Sequence, residues 1–265
     1  MMRWLSALSL FAAGTVVLAA SDDKKADGEK KSAEIRIVSL SIYKAPPAMP
    51  GTFMMRPNGV NLEVMVSLPG RHIVGFDAKA AKLDRFTDDK ENILFKQVGG
   101  IFGGPSWLNE YGVRYDPDGA SVTYQVNGNN PPGKGAEKLL LKGSVVLKCG
   151  TEPKSEEVKE LEMKPKQEAA AGSFKVRVGQ FGNQIEVLSP EENLQKVEFL
   201  DAKGKAIATG VPSRVRMPPN KDKLNYAYYY FLIGKHEKFS AKIHHFTKVE
   251  SVTVPLDLKV GMGLE

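Results

Sequence analysis

Residues 61–68 read NLEVMVSL, with Leu62, Val64, Val66 and Leu68 at every second position and Asn, Glu, Met and Ser between them. A period of two places one set of side chains on one face of an extended chain, the pattern of a strand with one face buried. The same alternation recurs at Val122, Tyr124 and Val126 in SVTYQV, at Phe174, Val176 and Val178 in FKVRV, and at Val252, Val254, Leu256 and Leu258 in VTVPLDL. Turn formers separate these runs. DPDG at 116–119 suits a type I turn, and DAKG at 201–204, between KVEFL and KAIAT, reads as a hairpin loop with Gly204 at positive φ. No long helical period interrupts the series. The expectation is an all-β protein, and more finely two tandem immunoglobulin-like β-sandwich domains after a signal peptide.

The domains are placed at 33–165 and 172–265, with a linker at 166–171 inside the polar and small-residue stretch KPKQEAAAG. The preceding SEEVKELEMK, 155–164, carries both a strand and a helix pattern and is read as a strand closing the first domain.

The N-terminus, MMRWLSALSLFAAGTVVLAASDDKK, has one Arg, an apolar run from Trp4 to Leu18, small residues at Ala19 and Ala20, and then charge. That is the layout of a signal peptide over 1–20, followed by a polar, disordered lead-in at 21–32. The run is short for a membrane anchor, and no later window is long and apolar enough to span a bilayer. The expected location is periplasmic or extracellular. About 245 residues remain, enough for one large or two ordinary domains. Cys149 is the only cysteine, so stability must come from the apolar core without an intramolecular disulfide. At the end of an apolar strand, Cys149 itself reads as a small core residue.

The stretch that most resembles a chemical site is FDAKAAKLDRFTDDKEN, 76–92, which holds Asp77, Asp84, Asp88 and Asp89. A calcium loop needs oxygen ligands at alternate, closely spaced positions with a Gly bend. These aspartates lack that spacing, and Lys79, Lys82, Arg85 and Lys90 lie among them. KLDRF reads as a strand with Leu83 inward and Phe86 following after an irregularity; TDDKEN reads as a turn. The adjacent His244 and His245 would point to opposite faces of a strand, so with His72 and His236 they make no zinc pattern. The glycine-rich VGGIFGGPSW, 98–107, lacks the Lys-Ser/Thr ending of a phosphate loop, and G-x-S-x-G does not occur. No catalytic residue, metal site or cofactor is expected.

The densest aromatic run is NYAYYYFLIGKHEKF, 225–239. Tyr226, Tyr228, Tyr230 and Leu232 share one face and are assigned to the core, which leaves Tyr229 nearest the outer face. The formal charge of +6 is concentrated after residue 172, and PSRVRMPPNKDKLNY carries Arg214, Arg216, Lys221 and Lys223 into this strand. These four cations and Tyr229 are the candidate ligand-binding residues. Charge attraction and ring stacking would suit an anionic envelope polymer, with another envelope protein as the other partner considered. Export argues against nucleic acid as a partner.

Three stretches, LPGRHIVGFDAKAAKLDRFTDDKENIL, PPGKGAEKLLLKGSVVL and VESVTVPLDLKVGMGL, resemble uncharacterised secreted β-sandwich proteins of bacteria. TDDKEN departs from the Gly-containing DDKG turn of such proteins. The resemblance implies the immunoglobulin-like fold and carries no functional residues. The expected function is an exported, non-catalytic binding or structural module of the cell envelope. The alternative is an extracellular polymer hydrolase using acids from residues 77–91.

Overall fold

LPGR at 68–71 shows how the alternating runs become sheets: Arg71 N–H donates to Leu68 C=O at 3.0 Å, and Gly70 has φ +78°. Pro at the second position and Gly at the third are what a type II turn requires, because only Gly takes that φ without strain. The computed structural model of the chain describes residues 15–16, 32–43, 59–96, 107–116, 118–180, 182–218 and 223–263. The signal-peptide reading lies outside these residues except for Thr15–Val16, and so does the lead-in except for Ser32.

The strands in chain order are β1 (Thr15–Val16), β2 (Glu34–Tyr43), β3 (Gly59–Ser67), β4 (His72–Phe76), β5 (Lys82–Asp88), β6 (Leu108–Tyr115), β7 (Ser121–Gly128) and β8 (Lys138–Glu162). They continue with β9 (Glu168–Ala171), β10 (Phe174–Val178), β11 (Gln184–Ser189), β12 (Leu194–Leu200), β13 (Ser213–Arg216), β14 (Tyr226–Phe231) and β15 (Lys238–Gly261). The protein is all-β, with several antiparallel sheets and no helix among the described residues. The strand orders are β1-β2-β3-β7-β6, β13-β14-β11-β10-β9 and β12-β15-β8-β4, with β5 also on β8.

The chain divides into two compact units. One is Met1–Lys148 with Ser251–Glu265; the other is Cys149–Glu250. Strands β8 and β15 therefore each give residues to both units, and the boundaries differ from the expected 33–165 and 172–265. The expected linker at 166–171 contains β9, paired with β10 through Phe174↔Ala171 and Val176↔Ala169. The polar, small-residue composition that suggested a linker is also that of a short edge strand: Ala171 is 4% exposed, while Glu168 and Ala170 face out. SEEVKELEMK is strand as expected up to Glu162, as the second half of β8.

In the first unit, Leu62, Val64, Val66, Val122, Tyr124 and Val126 are all fully buried, as the alternation requires. Each such Val or Leu stabilises the fold by about 1.5–3 kcal/mol relative to exposure. The Phe76 ring at the end of β4 lies 5.1 Å from that of Tyr124 on β7. In the second unit, Val158 and Leu161 of β8, Phe174 and Val176 of β10, Phe199 of β12, Tyr228 and Tyr230 of β14, and Phe239 and Ile243 of β15 form one core. Both turns named from sequence are present: Gly119 N–H donates to Asp116 C=O at 2.8 Å, and Gly204 N–H to Asp201 C=O at 2.9 Å with Gly204 at φ +77°.

Candidate functional site

The acidic stretch 76–92 dissolves into turns. Asp77 Oδ1 accepts from the N–H groups of Lys79 at 3.1 Å and Ala80 at 3.3 Å, closing the turn after β4. Asp84 is exposed at the register shift between Leu83 and Arg85, the irregularity expected before Phe86. Asp88 is fully buried, yet every one of its four contacts is a donor within the protein. Oδ1 accepts from Lys90 N–H and Asn92 N–H, both at 2.9 Å; Oδ2 accepts from the Asn92 side chain and Gly133 N–H, both at 2.8 Å. Burial acts to raise its carboxyl pKa, but the hydrogen bonds from Gly133, Asn92 and Lys90 together outweigh it and hold the carboxyl below its ordinary value. Asp89 Oδ1 accepts from Glu137 N–H at 3.1 Å. Asp77, Asp88 and Asp89 each hold a separate piece of backbone, and Asp84 stands exposed on β5. No group of three or more His, Cys, Asp or Glu side chains able to hold a metal ion occurs among the described residues.

The histidines separate as well. His72 packs so closely on Gly119 that a Cβ there would stand 2.3 Å from its ring; burial lowers its pKa, opposed by Asp118. His245 is 5% exposed, lies 4.9 Å edge-on to Phe174, and has no hydrogen-bond partner on either ring nitrogen. His244, on the other face of β15, sits between Ser155 of β8 and Glu198 of β12. Ser155 Oγ is 3.0 Å from Nδ1, and Glu198 Oε2 is 3.4 Å from Nε2, an ion-pair distance without hydrogen-bond geometry. The Lys196 ammonium at 2.6 Å, and then His244, hold the Glu198 carboxyl below its ordinary range against burial. This order of groups resembles a nucleophile, base and orienting acid, and sequence reading missed it because three different strands supply it. However, Ser155 is exposed on an extended strand, whose amides lie in the plane of the sheet rather than converging beside the hydroxyl. An oxyanion at that position would lack the donors that acyl transfer requires.

The predicted basic surface is partitioned by strand parity. Strand β13 pairs with β14 in the register Ser213↔Tyr229, Arg214↔Tyr228, Val215↔Ala227 and Arg216↔Tyr226. Directly opposed residues of an antiparallel pair share a face. Arg214 and Arg216 therefore stand on the Tyr226/Tyr228 side, while Tyr229 stands on the Val215/Ala227 side. Arg214 Nη1 is 2.8 Å from Glu192 Oε1, with the Arg214 side chain 23% exposed and that of Glu192 8% exposed. Burial pushes the adjacent Tyr228 phenol far above its ordinary value. Arg216 and Lys223 are exposed, and Lys221 lies outside the described residues. Tyr228 and Tyr230 enter the main core as expected; Tyr229 packs beside Leu188, Leu224 and Ala227 in a small cluster on the opposite face.

Val215, 48% exposed, and Phe231, 47% exposed, stand on that second face, and Val211 at 95% and Ile233 at 62% lie in the segments that flank β13 and β14; these are four of the eight large apolar side chains exposed among the described residues. Gly210 N–H donates to Phe231 C=O at 3.1 Å and Ile233 N–H to Ala208 C=O at 2.9 Å, which brings the segment before β13 alongside the end of β14. In the sequence Phe231 lay on the face opposite Tyr228 and Tyr230, and Val215 between two arginines; only the structure shows that both side chains stay exposed. No family model, curated protein or solved structure matches the chain.

Proposed function

We propose that the chain is an exported, non-catalytic binding module of the cell envelope, built from two immunoglobulin-like β-sandwich units, with its contact surface at the β13–β14 edge. The observation that carries this reading is the group of exposed apolar side chains on and flanking the β13–β14 edge, Val211, Val215, Phe231 and Ile233. Exposed apolar groups gathered in one place mark interaction surfaces, whereas scattered ones are ordinary. The fold assignment draws on the antiparallel sheets and on the second unit's core, which lies between strands of two sheets. Export draws on residues 1–20, and the hydrolase alternative is disfavoured because Asp77, Asp88 and Asp89 are each engaged by backbone amides.

The opposite facing of Arg214 and Tyr229 favours a protein partner over an anionic polymer. A polyanion held by charge and stacking needs both on one face. The test places a photo-crosslinking amino acid at Val215, and separately at exposed Lys159, in the full chain expressed in cells, followed by fractionation and N-terminal sequencing. The reading expects a mature N-terminus near Ala20 in the envelope fraction and a discrete adduct from position 215 alone. A cytoplasmic, unprocessed chain, or equal labelling from both positions, overturns it.

A further inference from the structure

We infer that β13 is an acceptor edge for an extended polypeptide strand in which acidic and apolar residues alternate, a deepening that rests on the binding-module reading. Strand β13 ends the order β13-β14-β11-β10-β9, so one side of its backbone turns away from the sheet. Met217 N–H donates to Asn225 C=O at 2.8 Å in line with the β13–β14 register, so the amide of Met217 faces β14, while Asn225 N–H turns to Ser189 C=O at 2.9 Å. Bonded and non-bonded pairs alternate along an antiparallel ladder, so the neighbouring Arg216↔Tyr226 pair directs the N–H and C=O of Arg216 outward. Pro212 and Pro218 bracket the strand, so a partner has a window of about five residues, since neither proline nitrogen can donate.

Strand addition makes the chemistry of the partner a matter of parity. Side chains of the added strand at one parity extend the face of Val215, Tyr229 and Phe231 and must be apolar. Those at the other parity fall beside Arg216 and are favoured when acidic. The charge of the edge agrees: the described residues 208–218 and 223–235 carry Arg214, Arg216, Lys223 and Lys235 and no acid, and with Arg214 paired to Glu192, Arg216 is the exposed cation of β13. A second copy of the chain is a poor occupant. An antiparallel β13 pair that kept apolar faces together would set arginine opposite arginine, and a one-residue slip would set arginine opposite Val215.

The experiment titrates the full-length mature protein with a fluorescent, end-blocked (Glu-Val)3 peptide and follows anisotropy and backbone amide NMR. Three other probes run alongside: (Lys-Val)3, polyglutamate, and (Glu-Val)3 with its glutamate amides N-methylated. The expected result is saturable binding of (Glu-Val)3 with amide shifts confined to 211–217 and 226–233. Affinity should be at least about tenfold lower for (Lys-Val)3 and for the N-methylated peptide, about 1.4 kcal/mol. Arg216→Pro, which removes an outward N–H without breaking the β13–β14 ladder, should abolish binding, and Arg216→Ala should weaken it several-fold. The N-methylated peptide needs no change in the protein, so the outcome stands even if Arg216→Pro does not fold. No binding of (Glu-Val)3, binding indifferent to N-methylation, or equal binding of polyglutamate overturns the inference. Adducts from position 215 combined with any of these would leave the binding-module reading intact and remove only the strand-addition partner.

Discussion

Arg214 and Glu192 form a partly buried ion pair, Nη1 to Oε1 at 2.8 Å, that ties the edge strand β13 to the turn after β11. The same turn is held by Asn225, whose side chain donates to Pro190 C=O at 2.8 Å, and by Asn193, which donates to Phe246 C=O at 2.9 Å. Two arginines two positions apart in sequence thus have unlike roles. Arg214 supports the sheet, and Arg216 faces solvent.

That difference predicts a stability contrast. Arg214→Ala leaves the Glu192 carboxylate buried without its cation and should cost about 3 kcal/mol. Arg216→Ala should change stability by less than about 0.5 kcal/mol. Urea unfolding of the two variants checks this; equal effects would mean that the Arg214–Glu192 pair does not support the sheet.

Asp88 should make the fold acid-sensitive. Its folded pKa lies below the unfolded value, so the carboxylate contributes stability above the unfolded range, near pH 4, and that contribution disappears as pH falls through the folded value. Asp88→Ala leaves donors from Lys90, Asn92 and Gly133 unmatched and should cost about 3–5 kcal/mol at pH 7. The difference between wild type and variant should shrink toward pH 3. A gap independent of pH in denaturant titrations would contradict the assigned role.

Tyr124 offers a change in the opposite direction. Its hydroxyl is fully buried with no hydrogen-bond partner, and burial pushes its phenol far above the ordinary value. Replacing the unmatched hydroxyl by hydrogen, Tyr124→Phe, should be neutral or stabilising by about 1 kcal/mol. A loss of that size in thermal unfolding would reveal a partner for the hydroxyl.

Fragment boundaries should follow the compact units rather than the polar stretch at 166–171. Residues 149–250 expressed alone should unfold cooperatively, because Val158 and Leu161 of β8 accompany the rest of their core. Residues 172–265 lack those side chains and β9, and should show no cooperative transition by circular dichroism. Cooperative folding of 172–265 would restore the linker reading.

Gly150→Ala tests packing at the other end of that unit. A Cβ there would stand 2.1 Å from Phe246 Cδ2, too close for any real contact, and the ring, only 6% exposed, is confined by its own burial. The variant should lose about 1–3 kcal/mol through overpacking, and Phe246→Leu should recover part of it in a double-mutant cycle.

The sequence by itself determined the class of fold and most of the core. Alternation at 62–68, 122–126, 174–178 and 252–258 is a local property, and burying one face of an extended chain needs no knowledge of the partner strand. The turns at 116–119 and 201–204 were equally local, set by turn formers at fixed positions within four residues. The assignment of Tyr228 and Tyr230 to the core followed from the same parity. Only tertiary structure decided what pairing and register control. β9 is a strand because β10 lies beside it; Ser155, His244 and Glu198 meet because β8, β15 and β12 are neighbours. Arg216 and Tyr229 face opposite ways because β13 meets β14 in a register where a slip of one residue would have put them on the same side. Period is written into each strand, whereas register depends on contacts between segments far apart in the chain.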